Sequence, residues 1–227
     1  MVRLMVKIQK QEMFRDRIEA GNLLAEKLLH YKNRDVVVLA IPRGGLPIGA
    51  IVARALKAPL NVALSKKIGY PGNKEFAIGA VSMEDVVFDK TLQVPENYLK
   101  KETAIIRESL AKKYRQYYKN FEPEKLTGKI VILIDDGVAT GNTIFVTISL
   151  VAHQNPAGIV VATPVAPPSV IEKLTNFAEV DEVICLKTPF DFRAVGQFYE
   201  DFSAVSDEEA INLLEESNRK NSSKGNQ

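Results

Sequence analysis

The chain has 227 residues, of which 46% are hydrophobic and 26% are charged. This length suits one sizeable α/β core, because two domains would each be small. We therefore expect a single domain over residues 1–216, with its core at about 36–186, and a polar, disordered tail at 217–227. Thirty basic against 28 acidic side chains leave a net charge of +2, which excludes a global field that gathers nucleic acid or anionic lipid.

The cysteine count and the hydropathy of the sequence exclude further classes of protein. The only cysteine, Cys185, excludes an internal disulfide framework. The N-terminal residues lack the apolar core of a signal peptide, and no apolar stretch approaches the roughly 20 residues of a membrane span. The chain also shows no basic recognition helix. We expect a cytoplasmic protein with neither a membrane nor a nucleic-acid partner.

Helices and strands alternate along the first part of the chain. Apolar residues at helical spacing predict an amphipathic helix ending near Tyr31, and the β-branched run Val36–Ile41 predicts a strand covered on both faces. A helix over Leu46–Leu56 and a strand over Leu60–Leu64 follow. The basic, turn-rich stretch Ser65–Glu75 has little apolar content to bury, so we expect an exposed, mobile loop there.

The same alternation continues to the end of the core. Ile78–Val81 and Val86–Phe88 predict a hairpin at the sheet edge, and Pro95 opens a long helix. A capping box from Ser206 to Glu209 precedes a short helix through Leu214. The remaining predicted elements are strands over Ile130–Ile134, Gly158–Thr163 and Glu182–Leu186 and helices over Thr143–Ala152 and Pro167–Phe177. This order predicts an α/β fold with a doubly wound, mostly parallel central sheet and helices on both faces.

The segment VILIDDGVATGNT, Val131–Thr143, carries the chemistry. Its strand delivers Asp135 and Asp136 to the carboxyl edge of the sheet, where open α/β folds bind ligands. Ionised carboxylates only accept hydrogen bonds, so they suit hydroxyl groups or a cation, whereas the glycine and threonine loop that follows offers N–H and O–H donors to a phosphate. A ribose phosphate presents both kinds of group side by side.

This segment resembles the phosphoribosyl pyrophosphate-binding motif of the type I phosphoribosyltransferases. The resemblance implies that Asp135 and Asp136 contact the ribose hydroxyls and hold any metal only indirectly. It assigns the sugar phosphate to Gly137, Val138, Ala139, Thr140, Gly141, Asn142 and Thr143. Family members for hypoxanthine and guanine typically place a base-contacting aspartate where Ala139 stands, so the identity of the base stays open.

An earlier segment, IPRGGLPIG at residues 41–49, also joins an apolar strand to a helix. We call the loop in this segment the first loop and the loop at residues 137–143 the second loop. The glycines let backbone N–H groups approach an anion and Arg43 adds charge. The resemblance makes Arg43, Gly44 and Gly45 the pyrophosphate loop, with a cis peptide bond expected at Arg43–Gly44.

The resemblance also gives the remaining parts their expected roles. Lys66, Lys67 and Lys74 in the turn-rich stretch suit a lid that closes over a polyanion, so Arg43, Lys66, Lys67, Asp135 and Asp136 are the candidate catalytic residues. The aromatic segment Pro189–Phe202 is either a small appended cap or hood that stacks on the base, or ordinary packing.

Two function classes follow. The first is an enzyme that moves the phosphoribosyl group of phosphoribosyl pyrophosphate to a nucleobase-like acceptor in nucleotide salvage, using Mg²⁺ carried mainly by substrate phosphates. The resemblance implies a homo-oligomer, commonly a dimer. The second is a non-catalytic protein that binds phosphoribosyl pyrophosphate or a nucleotide and regulates a partner. The loops match neither a P-loop NTPase nor a Rossmann dehydrogenase.

Overall fold

The computed structural model describes residues 13–89 and 91–222. The six helices of this part of the chain are α1 (Arg17–Leu28), α2 (Gly45–Leu56), α3 (Glu96–Tyr117), α4 (Asn142–Ala152), α5 (Pro168–Thr175) and α6 (Asp207–Ser222). The strands are β1 (Val36–Ala40), β2 (Leu60–Val62), β3 (Lys66–Tyr70), β4 (Asn73–Val81), β5 (Val86–Phe88), β6 (Ile130–Ile134), β7 (Gly158–Val165) and β8 (Glu182–Lys187).

The central sheet has five parallel strands in the order β2-β1-β6-β7-β8. Strands β1, β6 and β7 are almost wholly buried apolar runs, as expected when helices cover both faces, while the edge strand β8 is half-buried. Successive residues of β1 point to opposite sides, so Val36, Val38 and Ala40 pack with α1, α2 and α6, while Val37 and Leu39 pack with α4 and α5. The predicted doubly wound α/β fold is confirmed.

A smaller antiparallel sheet, β3-β4-β5, lies outside the central one and packs on α3. The expected hairpin between β4 and β5 is present, but it belongs to this second sheet rather than to the edge of the main one. The expected mobile loop at Ser65–Glu75 is wrong, because β3 and the start of β4 form a hairpin there that turns at Gly72, with φ of 81°. The fully buried Ile68 packs against Ile106 and Leu110, which gives the hairpin an apolar anchor despite its lysines.

Helix α6 runs further than the sequence predicts. It begins with Ser206 Oγ accepting the Glu209 N–H at 3.1 Å, as a capping box requires, but it continues past Leu214 to Ser222. Asn218 ties its last turns to β2, because its side chain bonds both the N–H and the carbonyl of Leu60. The expectation of a disordered tail is therefore wrong for 217–222, and residues 223–227 lie outside the described part.

Within residues 13–89 and 91–222, none of the helices combines the length and the apolar character that crossing a bilayer would need.

Candidate active site

The two glycine loops lie next to each other at the carboxyl edge of the central sheet. The Ile41 N–H, at the start of the first loop, donates to the Ile134 carbonyl at the end of β6 at 2.8 Å. The first loop then leads into α2 and the second loop leads into α4. The topology thus places both loops, which are about 90 residues apart in sequence, at one edge, where open α/β sheets bind ligands.

Gly44 and Gly45 are required where the first loop presses on the second. A Cβ on Gly44 would lie 1.9 Å from Asp136 Oδ2, and one on Gly45 would lie 2.6 Å from the Ile134 carbonyl oxygen. Real Cβ atoms do not approach other atoms this closely. The two glycines therefore serve the packing of loop on loop, in addition to the close approach to an anion that the sequence suggests.

Asp136 is buried and ion-paired. Asp136 is 8% exposed. Its Oδ2 accepts a hydrogen bond from Arg17 Nε at 2.8 Å and forms an ion pair with Arg17 Nη2, also at 2.8 Å. The Tyr199 hydroxyl donates to its backbone carbonyl at 2.6 Å. Burial raises the pKa of Asp136, and the Arg17 guanidinium opposes that rise. This carboxylate has little room for a further ligand.

Asp135 lies beside it in a different setting. It is half-buried, and its Oδ1 accepts the Asp136 N–H at 2.9 Å. The side chains of Asp135 and Asp136 also contact each other. Burial and the adjacent Asp136 charge raise the pKa of Asp135 well above its ordinary value. Unlike Asp136, Asp135 has no ion-pair partner among the described residues, so its carboxyl group is suited to exchange hydrogen bonds with the hydroxyl groups of a ligand.

The second loop has a buried base and an exposed tip. Gly137 packs under Val195, and Val138 is buried with its N–H on the Val165 carbonyl at 2.9 Å. Ala139, Thr140, Asn142 and Thr143 are exposed. Gly141 takes φ of 80° and precedes α4, where no side chain caps the first turn. The N–H groups of that turn remain available for an anion, which the helix dipole favours.

Arg43 reaches away from the acidic pair. Its side chain is half-exposed and its Nη1 lies 3.7 Å from Asp207 Oδ1, at the first residue of α6. The non-proline cis peptide bond of this loop lies at Pro42–Arg43. The expectation of a cis bond at Arg43–Gly44 was therefore wrong by one residue.

The three lysines of the β3-β4 hairpin have different surroundings. The Lys67 ammonium pairs with Glu75 at 2.9 Å inside the hairpin, and that of Lys74 pairs with Glu102 of α3 at 2.8 Å. Lys66 is exposed at the start of β3. The preceding residue, Ser65, has its Oγ 3.4 Å from Thr147 Oγ1, and Thr147 in turn bonds the Thr143 carbonyl. Lys66 therefore begins close to the helix that carries the second loop, whereas Lys74 is held at α3.

The aromatic segment at residues 189–202 mostly packs inward. Phe198 and Tyr199 are buried, Phe192 contacts Phe198 with ring centroids 4.9 Å apart, and Phe202 covers the Arg17 guanidinium at 3.9 Å. Phe190 is the exception, since it is 94% exposed. Most rings of this segment are therefore ordinary packing around Asp136, and stacking of a base on the segment stays a prediction.

No protein cage for a metal exists in the described part of the chain, since nowhere in it do three or more His, Cys, Asp or Glu side chains gather as a metal site would need. Magnesium differs from zinc in this respect, because it keeps several waters and binds through one or two carboxylates plus substrate phosphates. The carboxyl group of Asp135, which precedes the loop that leads into α4, fits that type of binding.

Sequence reasoning missed several residues of this site. Arg17, Tyr199, Phe202 and Ser203 surround Asp136, yet they come from the two ends of the domain. An aspartate at the end of a buried strand is expected to need a nearby positive charge, and this is the only hint of a cation that the sequence offers. Nothing in the spacing of residues identifies Arg17 as that cation.

The family model for the phosphoribosyl transferase domain matches residues 11–196 of this chain. Proteins named "Putative phosphoribosyl transferase" in two strains of Mycobacterium tuberculosis are 34% identical over 213 residues, which is 92% of this chain and 48% of each relative. The chain thus spans about half the length of these curated relatives. The crystal structure of TT1426 from Thermus thermophilus is similar with a TM-score of 0.82 and 41% identity, over 90% of this chain and 98% of that one.

Proposed function

The chain belongs to the phosphoribosyl transferase domain family, and on this premise we propose that it transfers the phosphoribosyl group of phosphoribosyl pyrophosphate to a nucleobase-like acceptor. In this reaction an acceptor nitrogen forms a bond to C1 of the ribose, the bond from C1 to pyrophosphate breaks, and the acceptor loses its proton to solvent. The observation that carries the proposal is the acidic pair at the end of β6, which is followed by a loop that leads into the uncapped first turn of α4.

The substrate matches the arrangement group by group. The Asp135 carboxylate is suited to the ribose hydroxyls, and the exposed tip from Ala139 to Thr143 is suited to the sugar phosphate. The first loop, next to it, is suited to the pyrophosphate, with Arg43 supplying positive charge to the leaving group. Because the chain offers no evident nucleophile at this edge, catalysis rests on positioning and on electrostatic stabilisation.

Magnesium bound to the pyrophosphate would neutralise part of the charge that develops on the leaving group. Of the acidic pair, Asp135 is the one without an ion-pair partner among the described residues, so we assign it any direct or water-mediated contact with the ion. Asp136 contributes less, since Arg17 already occupies its Oδ2.

The β3-β4 hairpin is our candidate for the cover that excludes water from the reacting centre. Lys66 and Lys67 belong to it, and Lys66 starts close to α4. Water exclusion matters because a ribosyl centre with oxocarbenium character is readily hydrolysed. Replacing Lys66 and Lys67 by Met should therefore lower kcat more than it raises the Kd for phosphoribosyl pyrophosphate; equal losses would indicate simple anchoring.

The acceptor is the least defined part of the proposal. Ala139 offers no carboxylate to a base, and the exposed ring of Phe190 is a candidate stacking surface. A panel of purine and pyrimidine bases, each incubated with phosphoribosyl pyrophosphate and Mg²⁺ and scored by pyrophosphate release, tests the activity. Release with one class of base identifies the acceptor. Tight binding of phosphoribosyl pyrophosphate with no release for any base would favour a regulatory binding protein.

We also propose that the chain works as a homo-oligomer in the cytoplasm, as the family resemblance suggests. Sedimentation equilibrium of the full chain measures its mass directly, and a mass of 25.2 kDa at micromolar concentration would contradict this part of the proposal.

A further inference from the structure

A cavity lies at the outer edge of the central sheet, apart from the candidate active site. Its volume is about 380 Å³, which is enough for a small organic molecule. The edge strand β2 forms one wall and α4 another, and the end of α3 and the segment 123–127 close it. Neither glycine loop contributes to the described residues that line the cavity. A molecule bound in it would therefore leave the place of the phosphoribosyl group free.

The cavity reaches both ends of the β3-β4 hairpin. Leu64 and Ser65 come just before β3, and Ser82 and Met83 follow β4. All four residues line the cavity. The hairpin is our candidate for the cover of the active site, so a molecule that fills the cavity contacts this cover at the two points where it joins the rest of the chain.

Thr147 connects the cavity to the second loop. It lines the cavity, and its Oγ1 donates to the Thr143 carbonyl at 2.9 Å. The Ser65 Oγ lies 3.4 Å from the same Oγ1, which is longer than an ordinary hydrogen bond between two hydroxyl groups. The start of the hairpin and α4 are thus only loosely joined here, and a molecule in the cavity can contact both of them.

The walls of the cavity suit an apolar ring system. Apolar side chains from the sheet, from the segment 123–127 and from α4 line it, and they include Leu39, Leu126, Leu150 and Val151. Tyr114 and Tyr118 also line it, with their ring centroids 4.9 Å apart, and aromatic side chains pack well against the ring of a ligand. The Asn61 amide takes little part in binding, because it already bonds the Glu124 backbone at 2.7 and 3.0 Å.

The electrostatics of the cavity disfavour an anion. Helices α3 and α4 both end there, since Tyr118 directly follows α3 and His153 directly follows α4. The C-terminus of a helix carries a partial negative charge. Glu84 adds an exposed carboxylate to the wall, and Lys125 is the only lysine or arginine among the described residues that line the cavity. A phosphate is therefore unfavourable here, whereas N–H and O–H donors of a ligand find acceptors.

We propose that this cavity is a second ligand site, which binds an aromatic heterocycle with N–H or O–H donors and without a phosphate, namely a nucleobase or a nucleoside. The bound molecule holds the β3-β4 hairpin in its observed position, because it contacts both ends of the hairpin and α4 together. A nucleobase is also the class of acceptor in the proposed reaction, so the site would couple the cover to the supply of acceptor. Only this last link rests on the proposed function.

The first test is binding by the full chain. Adenine, adenosine, uracil and uridine are each titrated by calorimetry, and hydrogen–deuterium exchange then locates the one that binds most tightly. We expect a Kd below about 1 mM for at least one of them. Exchange should slow at residues 60–65 and 82–84 and across the hairpin between them. If none of the four binds with a Kd below about 1 mM, the proposal is wrong.

Two variants and two controls tie the binding to the cavity. Ala63 lines the cavity, and Ala63→Leu fills part of it, so the affinity should fall at least about tenfold. Glu84→Gln alters an exposed side chain and should lower the affinity about tenfold, as for the loss of a hydrogen bond to a charged group. Glu179→Gln, which is also exposed but lies between α5 and β8, should have no effect. Asp135→Asn, in the candidate active site, should have none either.

The location of the bound molecule decides between the cavity and the active site. Slowed exchange at 137–143 in place of 60–65, or a loss of affinity in Asp135→Asn as large as that in Glu84→Gln, would overturn the proposal. Adenosine monophosphate should leave exchange at 60–65 unchanged, and equal protection by it would contradict the exclusion of phosphate. If no base supports release of pyrophosphate, the proposed function fails, while binding in the cavity is still measured by the same titrations.

Discussion

The contact between Gly44 and Asp136 offers a quantitative test of the site geometry. An alanine Cβ at position 44 would lie 1.9 Å from Asp136 Oδ2, while actual Cβ contacts are essentially never shorter than 3.0 Å. The carboxylate cannot move aside freely, because Arg17 Nε donates to the same oxygen and Arg17 Nη2 is ion-paired with it, each at 2.8 Å. Gly44→Ala must therefore break or distort a buried ion pair, or displace the first loop.

The magnitude follows from these contacts. A hydrogen bond to a charged group contributes ~1.5–3 kcal/mol and a distorted rotamer costs ~0.5–1.5 kcal/mol. We therefore expect Gly44→Ala to lower the free energy of unfolding by ~2–4 kcal/mol and the Tm by roughly 5–15 °C. Differential scanning calorimetry of the full chain measures both quantities.

Two controls make the measurement specific. Gly158→Ala is matched, because its Cβ would lie 3.0 Å from Asp181 Oδ2 and needs only a small adjustment; we expect a change in unfolding free energy below about 1 kcal/mol. Asp136→Ala removes the clashing carboxylate, so adding Gly44→Ala to it should cost little. A Tm for Gly44→Ala equal to that of the parent, or a loss that persists in the Asp136→Ala background, would refute the packing of the first loop on Asp136.

Three further predictions concern stability, the support of the acidic pair and the pyrophosphate loop. Since the folded state raises the pKa of Asp135, the folded chain binds a proton more tightly than the unfolded chain, and stability is lost as pH rises from about 4 through the folded pKa. Asp135→Asn should therefore raise the Tm by ~2–4 °C at pH 7, for a gain of ~1 kcal/mol, and the difference should vanish near pH 4 in a calorimetric pH series. Tyr199→Phe removes the 2.6 Å bond to the Asp136 carbonyl and should cost ~1–3 kcal/mol in urea unfolding; an unchanged midpoint would remove Tyr199 from the account. Asp207→Asn frees Arg43 from a half-exposed pair worth ~0.2–1 kcal/mol, so pyrophosphate should bind up to about fivefold more tightly by calorimetry, and weaker binding would argue against Arg43 as its ligand.

The parts of the fold that were predictable are those governed by local pattern. The apolar runs at β1, β6 and β7 are buried on both faces, and this makes a parallel sheet evident from composition alone. The position of the second loop was equally predictable from the sequence, since the acidic pair, the glycines and the hydroxyl groups follow directly on a strand. Each of these signals lies within a window of about fifteen residues.

The parts that were missed depend on contacts between distant segments. The β3-β4 hairpin was predicted as a loop because its lysines and glycines obscure the alternation of apolar and polar residues, whereas burial of Ile68 against α3 helps to stabilise it. Helix α6 was predicted to end near Leu214 because the sequence from Ser217 onward is polar. It continues because the Asn218 side chain forms hydrogen bonds with the backbone of Leu60 in β2. In both cases tertiary contacts outweigh local propensity.

The surroundings of the acidic pair also depend on distant segments, so the sequence alone does not predict them. Sequence places Asp135 and Asp136 together and gives no reason to distinguish them. The difference comes from Arg17, which lies 119 residues from Asp136 along the chain, and from the close approach of Gly44. The different surroundings of the two carboxyl groups thus come from the residues that pack against the motif.

The central claim is that Asp135 is the carboxylate that holds the ribose. The most direct measurement is calorimetric titration of phosphoribosyl pyrophosphate with Mg²⁺ into the parent, Asp135→Asn and the control Asp35→Asn, whose side chain pairs with Lys129 just before β1 begins, at the amino end of the sheet. We expect the parent and the control to bind equally well and Asp135→Asn to lose at least a hundredfold in affinity while keeping or raising its Tm. Unchanged affinity in Asp135→Asn would contradict the claim.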